Sequence, residues 1–148
     1  MENTESLSEL IKRLLASQRF AVITTQAKGQ PYSNLIAFAE ADNLSSLLFV
    51  TGRDTKKYSN AISNKRVAIL IDNRTNQAVD FNNAIAITAL GTIEEVSTDQ
   101  EAYFSTIYVS KHPQLEDFLH KPSNVLMRVV ITDYIVASFE SVKHLRTG

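Results

Sequence analysis

The chain has 148 residues, 44% hydrophobic and 21% charged, with a formal net charge of −1. That length suits one domain, 1–148, around a single core, and the near-neutral balance argues against nucleic acid as a partner, since that requires a broad basic surface. There is no cysteine, so thiol catalysis, disulfides and cysteine-ligated metals are excluded. The start, Met1 to Ser6, is polar and acidic and lacks the regions of a signal peptide. No apolar run approaches the roughly 20 residues of a membrane span, so a soluble cytoplasmic protein with no membrane partner is expected.

Ser6-Leu7-Ser8-Glu9 fits a capping box, followed by Leu7, Leu10, Ile11, Leu14 and Leu15 at helical spacing, which predicts an amphipathic opening helix. Arg19 to Gln26 is β-branched and aromatic and reads as a strand. Ala27 to Gln30 is a turn in which Gly29 can take positive φ. Pro31 to Glu40 reads as the returning strand, with Pro31 tolerated at its first position. After a second turn at Ala41-Asp42-Asn43, Leu47 to Thr51 is a third strand, so three consecutive antiparallel strands are predicted.

Thr51-Gly52 breaks that apolar run, and a short helix follows with Tyr58, Ala61 and Ile62 on one face. Asp54 and Thr55 are both candidate N-caps. Lys56 and Lys57 then fall in the first turn, where a cation has the wrong sign for the helix dipole. An anion between them resolves the conflict, because a phosphate there would meet backbone N–H groups, a hydroxyl and ammonium charge together. The same residues also read as a solvated lysine pair after a turn. Locally the charge is lopsided: Arg53, Lys56, Lys57, Lys65 and Arg66 face the single acid Asp54, a spot suited to a small anion more than to a polyanion.

Arg66 to Asp72 is strongly apolar and reads as a strand buried on both faces. A polar loop, Asn73 to Gln77, and Asn82-Asn83 precede a long strand, Ala84 to Val96, in which Gly91 marks a bulge or bend. Thr98 to Ser110 is helical, with Tyr103, Ile107 and Tyr108 on one face, and His112-Pro113 ends it. Val125 to Phe139 is a final long strand, and the tail from Glu140 to Gly148 carries no readable pattern. About six strands with few helices suggest a small antiparallel barrel. No GxGxxG or GxxxxGK[ST] motif occurs, which argues against a doubly wound nucleotide fold.

The hairpin GQPYSNLIAF, then LLFVT, TKKYSNAISNKRVAILID and ITALGTIEEV, resembles the pyridoxamine 5′-phosphate oxidase-like family of FMN-binding split barrels, from about Leu7 to Phe139. The resemblance implies a mainly β, Greek-key-like split barrel with flanking helices, and FMN as cofactor. By position, Thr51, Thr55, Lys56 and Lys57 would hold its phosphate, with Val50 beside them. Ser33, Asn34, Leu35 and Ile36 would run along the isoalloxazine ring, and Asn73, with the loop to Asn82 and Asn83, would approach it from further along. The family places its cofactor between subunits, which implies a homodimer; one small half-open barrel has little means of enclosing a large flat ring alone. The implied activity is an FMN-dependent oxidoreductase acting on a small molecule. Alternatives are a flavin-binding stress, storage or sensor protein without turnover, a deazaflavin- or heme-binding relative, and an empty barrel used for dimerisation.

The chain departs from the biosynthetic oxidase in lacking tryptophan, in its tail, and in having Ser33 where the family has a basic residue. Pyridoxamine phosphate is therefore not the expected substrate. No nucleophilic triad is recognisable, so no catalytic side chain is assigned. Tyr32, Tyr103 and Tyr108 are candidates for a substrate pocket or for core. His112, His120 and His144 have no metal-ligand spacing, and His112 and His120 are expected at the surface. Asp80 and Asp133 read as turn or solvent residues.

Overall fold

The computed structural model describes residues 5–147; Met1 to Thr4, part of the polar start, and Gly148 lie outside the described residues. Helix α1 (Leu7–Ser17) begins where Ser6 accepts from the Glu9 amide, and it buries Ile11, Leu14 and Leu15. Then come β1 (Phe20–Ala27), β2 (Gln30–Ala37), β3 (Ala39–Ala41), β4 (Ser46–Gly52), α2 (Lys56–Ser63) and β5 (Arg66–Asp72). After these follow α3 (Asp80–Asn83), β6 (Ala86–Glu95), α4 (Glu101–Lys111), a 3₁₀ turn at Pro113–Leu115, α5 (Glu116–Leu119), β7 (Asn124–Ala137) and β8 (Val142–Arg146). Gly29 takes φ +80° in the β1–β2 turn, as its position requires.

The strands form one antiparallel sheet in the order β2-β1-β5-β6-β7-β4-β3, with β8 on β7. Only Phe38 separates β2 from β3, yet these two strands end opposite sides of that order. The sheet must therefore curl until its ends meet, which makes a half-barrel with flanking helices. Along the seam β2 comes close to β4 without a ladder. The expected single strand from Pro31 to Glu40 is thus two strands broken at Phe38, and the third strand pairs with β3 and β7 rather than with β2.

The barrel interior holds Ile23, Ile36, Phe49, Ile69, Ile87, Val129 and Tyr134, closed by α1. A second cluster, Leu48, Val50 and Leu126 with Phe104, Tyr108 and Leu119, lies under α4 and α5. Strand β4 is therefore buried on both faces, which explains its unbroken apolar run. Strand β5, expected to be the same, is not: Val67, Ile69 and Ile71 point inward while Ala68 and Leu70 are only half-buried. The tail also departs from expectation, since Val142–Arg146 pairs with β7 as an edge strand. Among the described residues no helix is long and apolar enough to cross a membrane.

Gly91 sits at a register shift between β6 and β7. A Cβ there would collide with the Val130 carbonyl, so the strands approach this closely only over glycine. Gly91→Ala should cost roughly 1–3 kcal/mol in urea unfolding; an unchanged midpoint and slope would show that the crossing is not tight.

Candidate functional site

The turn from β4 into α2 is built by two threonines. Thr55 is the N-cap: its hydroxyl donates to the Gly52 carbonyl (2.8 Å) and accepts from the Tyr58 amide (3.2 Å). The Thr51 hydroxyl, buried at the end of β4, stands 3.0 Å from it. Asp54, the other candidate cap, does not cap the helix. Capping by Thr55 leaves the amides of Lys56 and Lys57 with no hydrogen-bond partner among the described residues. Those orphan donors carry the positive end of the helix dipole.

Neither lysine has an anionic partner among the described residues. Lys56 Nζ lies 5.0 Å from the Tyr32 ring centroid and Lys57 Nζ 5.7 Å from that of Phe49. Burial holds the Lys57 ammonium below the usual lysine pKa, as expected of a cation with no counter-charge. Arg53, by contrast, is engaged by Glu95 at 3.4 Å, and Glu95 also accepts from the Tyr58 hydroxyl at 3.0 Å. Of the basic residues in that stretch, Lys56 and Lys57 are therefore the two that stand at the helix start with no ion pair among the described residues.

Lys56 over Tyr32 joins this helix start to β2. Because β2 ends the sheet order, β1 takes only one side of its ladder, and its other edge faces the seam. Ser33 and Leu35 point outward, and the Ser33 hydroxyl lies 2.9 Å from that of Thr24. Ile36 points into the core, and Val50 is buried beneath α4, so each can offer a neighbour only backbone. Asn34 points to the Tyr32 side, where its Oδ1 is buried with no hydrogen-bond partner. Orphaned backbone amides, two unpaired cations and an orphaned acceptor fit a ligand carrying both an anionic group and N–H donors.

Asn73 stands apart. Its Oδ1 accepts from the Ile85 amide at 2.7 Å and its Nδ2 reaches the Asn83 carbonyl at 3.5 Å, so it ties the two ends of its own loop. Asp80 pins that loop further, accepting from Thr75 and Asn76, contacts that hold its carboxyl below the usual range.

Other expectations need correction. His112 is buried, 2% exposed, with Nε2 donating to the Phe38 carbonyl at 2.7 Å; a polar residue before proline reads as surface only while its distant partner is unseen. Of the two readings of Tyr108, core is the one that holds, with its hydroxyl donating to the Ala37 carbonyl and burial pushing its pKa up to about 12. Asp133 is no free solvent residue: it holds His144 at 2.7 Å and Thr132 at 2.7 Å, with Arg146 at 3.4 Å. It lines an outward groove of about 480 Å³ with Thr24, Gln26, Arg66 and Thr92. No spacing signal joins Asp133 to His144, because only the β7–β8 pairing does so.

An antiparallel half-barrel with flanking helices and an open seam between β2 and β4 is a split-barrel fold. The family model for pyridoxamine 5′-phosphate oxidase matches residues 7–135, and the chain belongs to that family. A pyridoxamine 5′-phosphate oxidase homolog of Schizosaccharomyces pombe is 24% identical over 132 residues, covering 70% of each chain. Among solved structures, a heme-binding protein from Mycobacterium smegmatis matches 98% of this chain with a TM-score of 0.86 at 11% identity. This chain spans 60% of that protein's length. A FAD-binding protein from Mesorhizobium loti has a TM-score of 0.68 at 17% identity, covering 84% of this chain and 89% of that one. At these identities the structural likeness speaks to the fold.

Lys57 also predicts a pH effect. Its folded pKa is depressed, so the unfolded chain binds more protons and stability rises with pH through that window. Lys57→Met should therefore raise the thermal midpoint of the ligand-free protein near neutral pH, and the gain should shrink as the pH approaches the ordinary lysine value. A gain that persists unchanged at alkaline pH would contradict an uncompensated charge.

Proposed function

We propose that this chain binds FMN, with the phosphate at the start of α2 and the ring along the seam edge of β2, and that it acts as a flavin-dependent oxidoreductase on a small substrate. The observation that carries this reading is the pair of unpaired lysines on two unpartnered amides, beside the Thr51 and Thr55 hydroxyls. Family membership supports a flavin as the ligand. The bound flavin would supply the electron or hydride transfer. The chain would supply a socket for the phosphate, backbone groups from Ser33 to Ile36 along the ring, and the Asn34 oxygen as an acceptor for a ring N–H.

The outward sheet face supports a homodimer. Leu35, Val22, Leu70, Thr88 and Ile135 stand in one cross-strand row on that face, and Leu35 is 64% exposed. The apolar outward residues of β5, unexplained in one chain, are accounted for if a second copy covers them. The α2 turn itself holds no histidine, so the socket at the start of that helix offers no imidazole to a heme iron.

Titration of the ligand-free protein with FMN and with riboflavin tests the reading. Each lysine should contribute roughly 1.5–3 kcal/mol to holding a phosphate, so Lys56→Ala and Lys57→Ala should each weaken FMN by roughly 10- to 100-fold and leave riboflavin nearly unchanged. Equal losses for both ligands would contradict the phosphate assignment. The protein as isolated should show the visible bands of flavin; a heme Soret band would replace this reading. Oxidation of NADH or NADPH faster than by free FMN separates an enzyme from a binding protein.

A further inference from the structure

The C-terminal turn of α4, with its cap residue His112, grips the junction between β2 and β3 at Ala37, Phe38 and Glu40. The Tyr108 hydroxyl donates to the Ala37 carbonyl at 2.8 Å. His112 Nε2 donates to the Phe38 carbonyl at 2.7 Å, and a carbonyl can only accept, so the proton sits on Nε2. Lys111 Nζ meets Glu40 at 2.7 Å and the Leu15 carbonyl at 2.9 Å, and lies 4.0 Å from the Phe38 ring centroid. From the other side, the Phe38 amide donates to the Arg19 carbonyl at 3.2 Å. Tyr108, Phe38 and His112 are all buried, and the Tyr108 and His112 rings are 5.1 Å apart.

This grip lies one residue beyond the stretch proposed to carry the ring. Strand β2 is laddered on one side only, so at its C-terminal end the tilt toward β4 is set by β1 and by what holds Ala37 and Phe38. We infer that Tyr108 and His112 are positioning residues: by fixing the β2–β3 junction they set the seam between β2 and β4, and through it the affinity for the flavin ring. This inference rests on the flavin reading above and goes beyond it, assigning a role to two residues that touch neither the lysines nor the threonines. The physical warrant is that an edge strand holds a ligand's geometry only as well as its own supports hold it.

Flavin fluorescence titration of Tyr108→Phe, His112→Ala and His112→Gln, each checked for folding by circular dichroism and thermal midpoint, tests it. Tyr134→Phe is the control, since it loses a buried hydroxyl bond of the same 2.8 Å length, to the Leu44 carbonyl in the β3–β4 turn. Tyr108→Phe and His112→Ala should weaken FMN and riboflavin by the same factor, roughly three- to tenfold for one lost hydrogen bond. His112→Gln, which keeps a donor, should recover part of the loss, and Tyr134→Phe should lower the midpoint without changing either affinity. Unchanged affinities in folded Tyr108→Phe overturn the inference, as does an equal loss in Tyr134→Phe. The FMN-to-riboflavin ratio keeps the two claims apart: it collapses only when the phosphate socket is damaged, whereas the junction acts on both ligands alike. A parent chain that binds neither ligand overturns both.

Discussion

The hydroxyl of Thr55 is the contact on which the site depends. By bonding the Gly52 carbonyl and the Tyr58 amide at once, it stops β4, starts α2, and decides which amides are left without partners. A cap one residue earlier would place different residues at the first two helical positions. With Thr55 as cap, those positions are Lys56 and Lys57, the residue type that the dipole of an empty helix start disfavours. On the proposed reading, stability is given up locally for affinity toward a phosphate, a common arrangement at functional sites.

Barrel closure provides the second half of the site. Because β2 and β3 are consecutive in the chain but terminal in the sheet, the half-barrel has a seam, and along it β2 keeps a free edge. In most sheets such an edge is a liability that is covered or charged. Here it lies beside the start of α2, bridged by Lys56 over the Tyr32 ring. The Thr55 cap thus leaves the unpartnered amides, barrel closure leaves the free β2 edge, and the two lie side by side.

Much of this is legible in the residues. The lysines betray themselves by charge against a helix start, Thr55 by cap chemistry, β4 by an unbroken apolar run, and Gly91 by its place within a long strand. What stays hidden is long-range. Nothing in PYSNLIAFAE marks the break at Phe38, which is imposed by closure and held from α4, some seventy residues on. His112 looks like a surface residue because its partner is the Phe38 carbonyl. Strand β8 is short and mostly exposed, so it has no apolar face to announce it. The two-sided burial expected of β5 follows from its composition, yet within one chain its outer face is only half covered.

Crystals of the protein grown with FMN would test the central claim most directly. The account predicts the phosphate within hydrogen-bond reach of the Lys56 and Lys57 amides, with both ammonium groups turned onto it. A flavin bound with its phosphate elsewhere, and the two lysines extended into solvent, would contradict it.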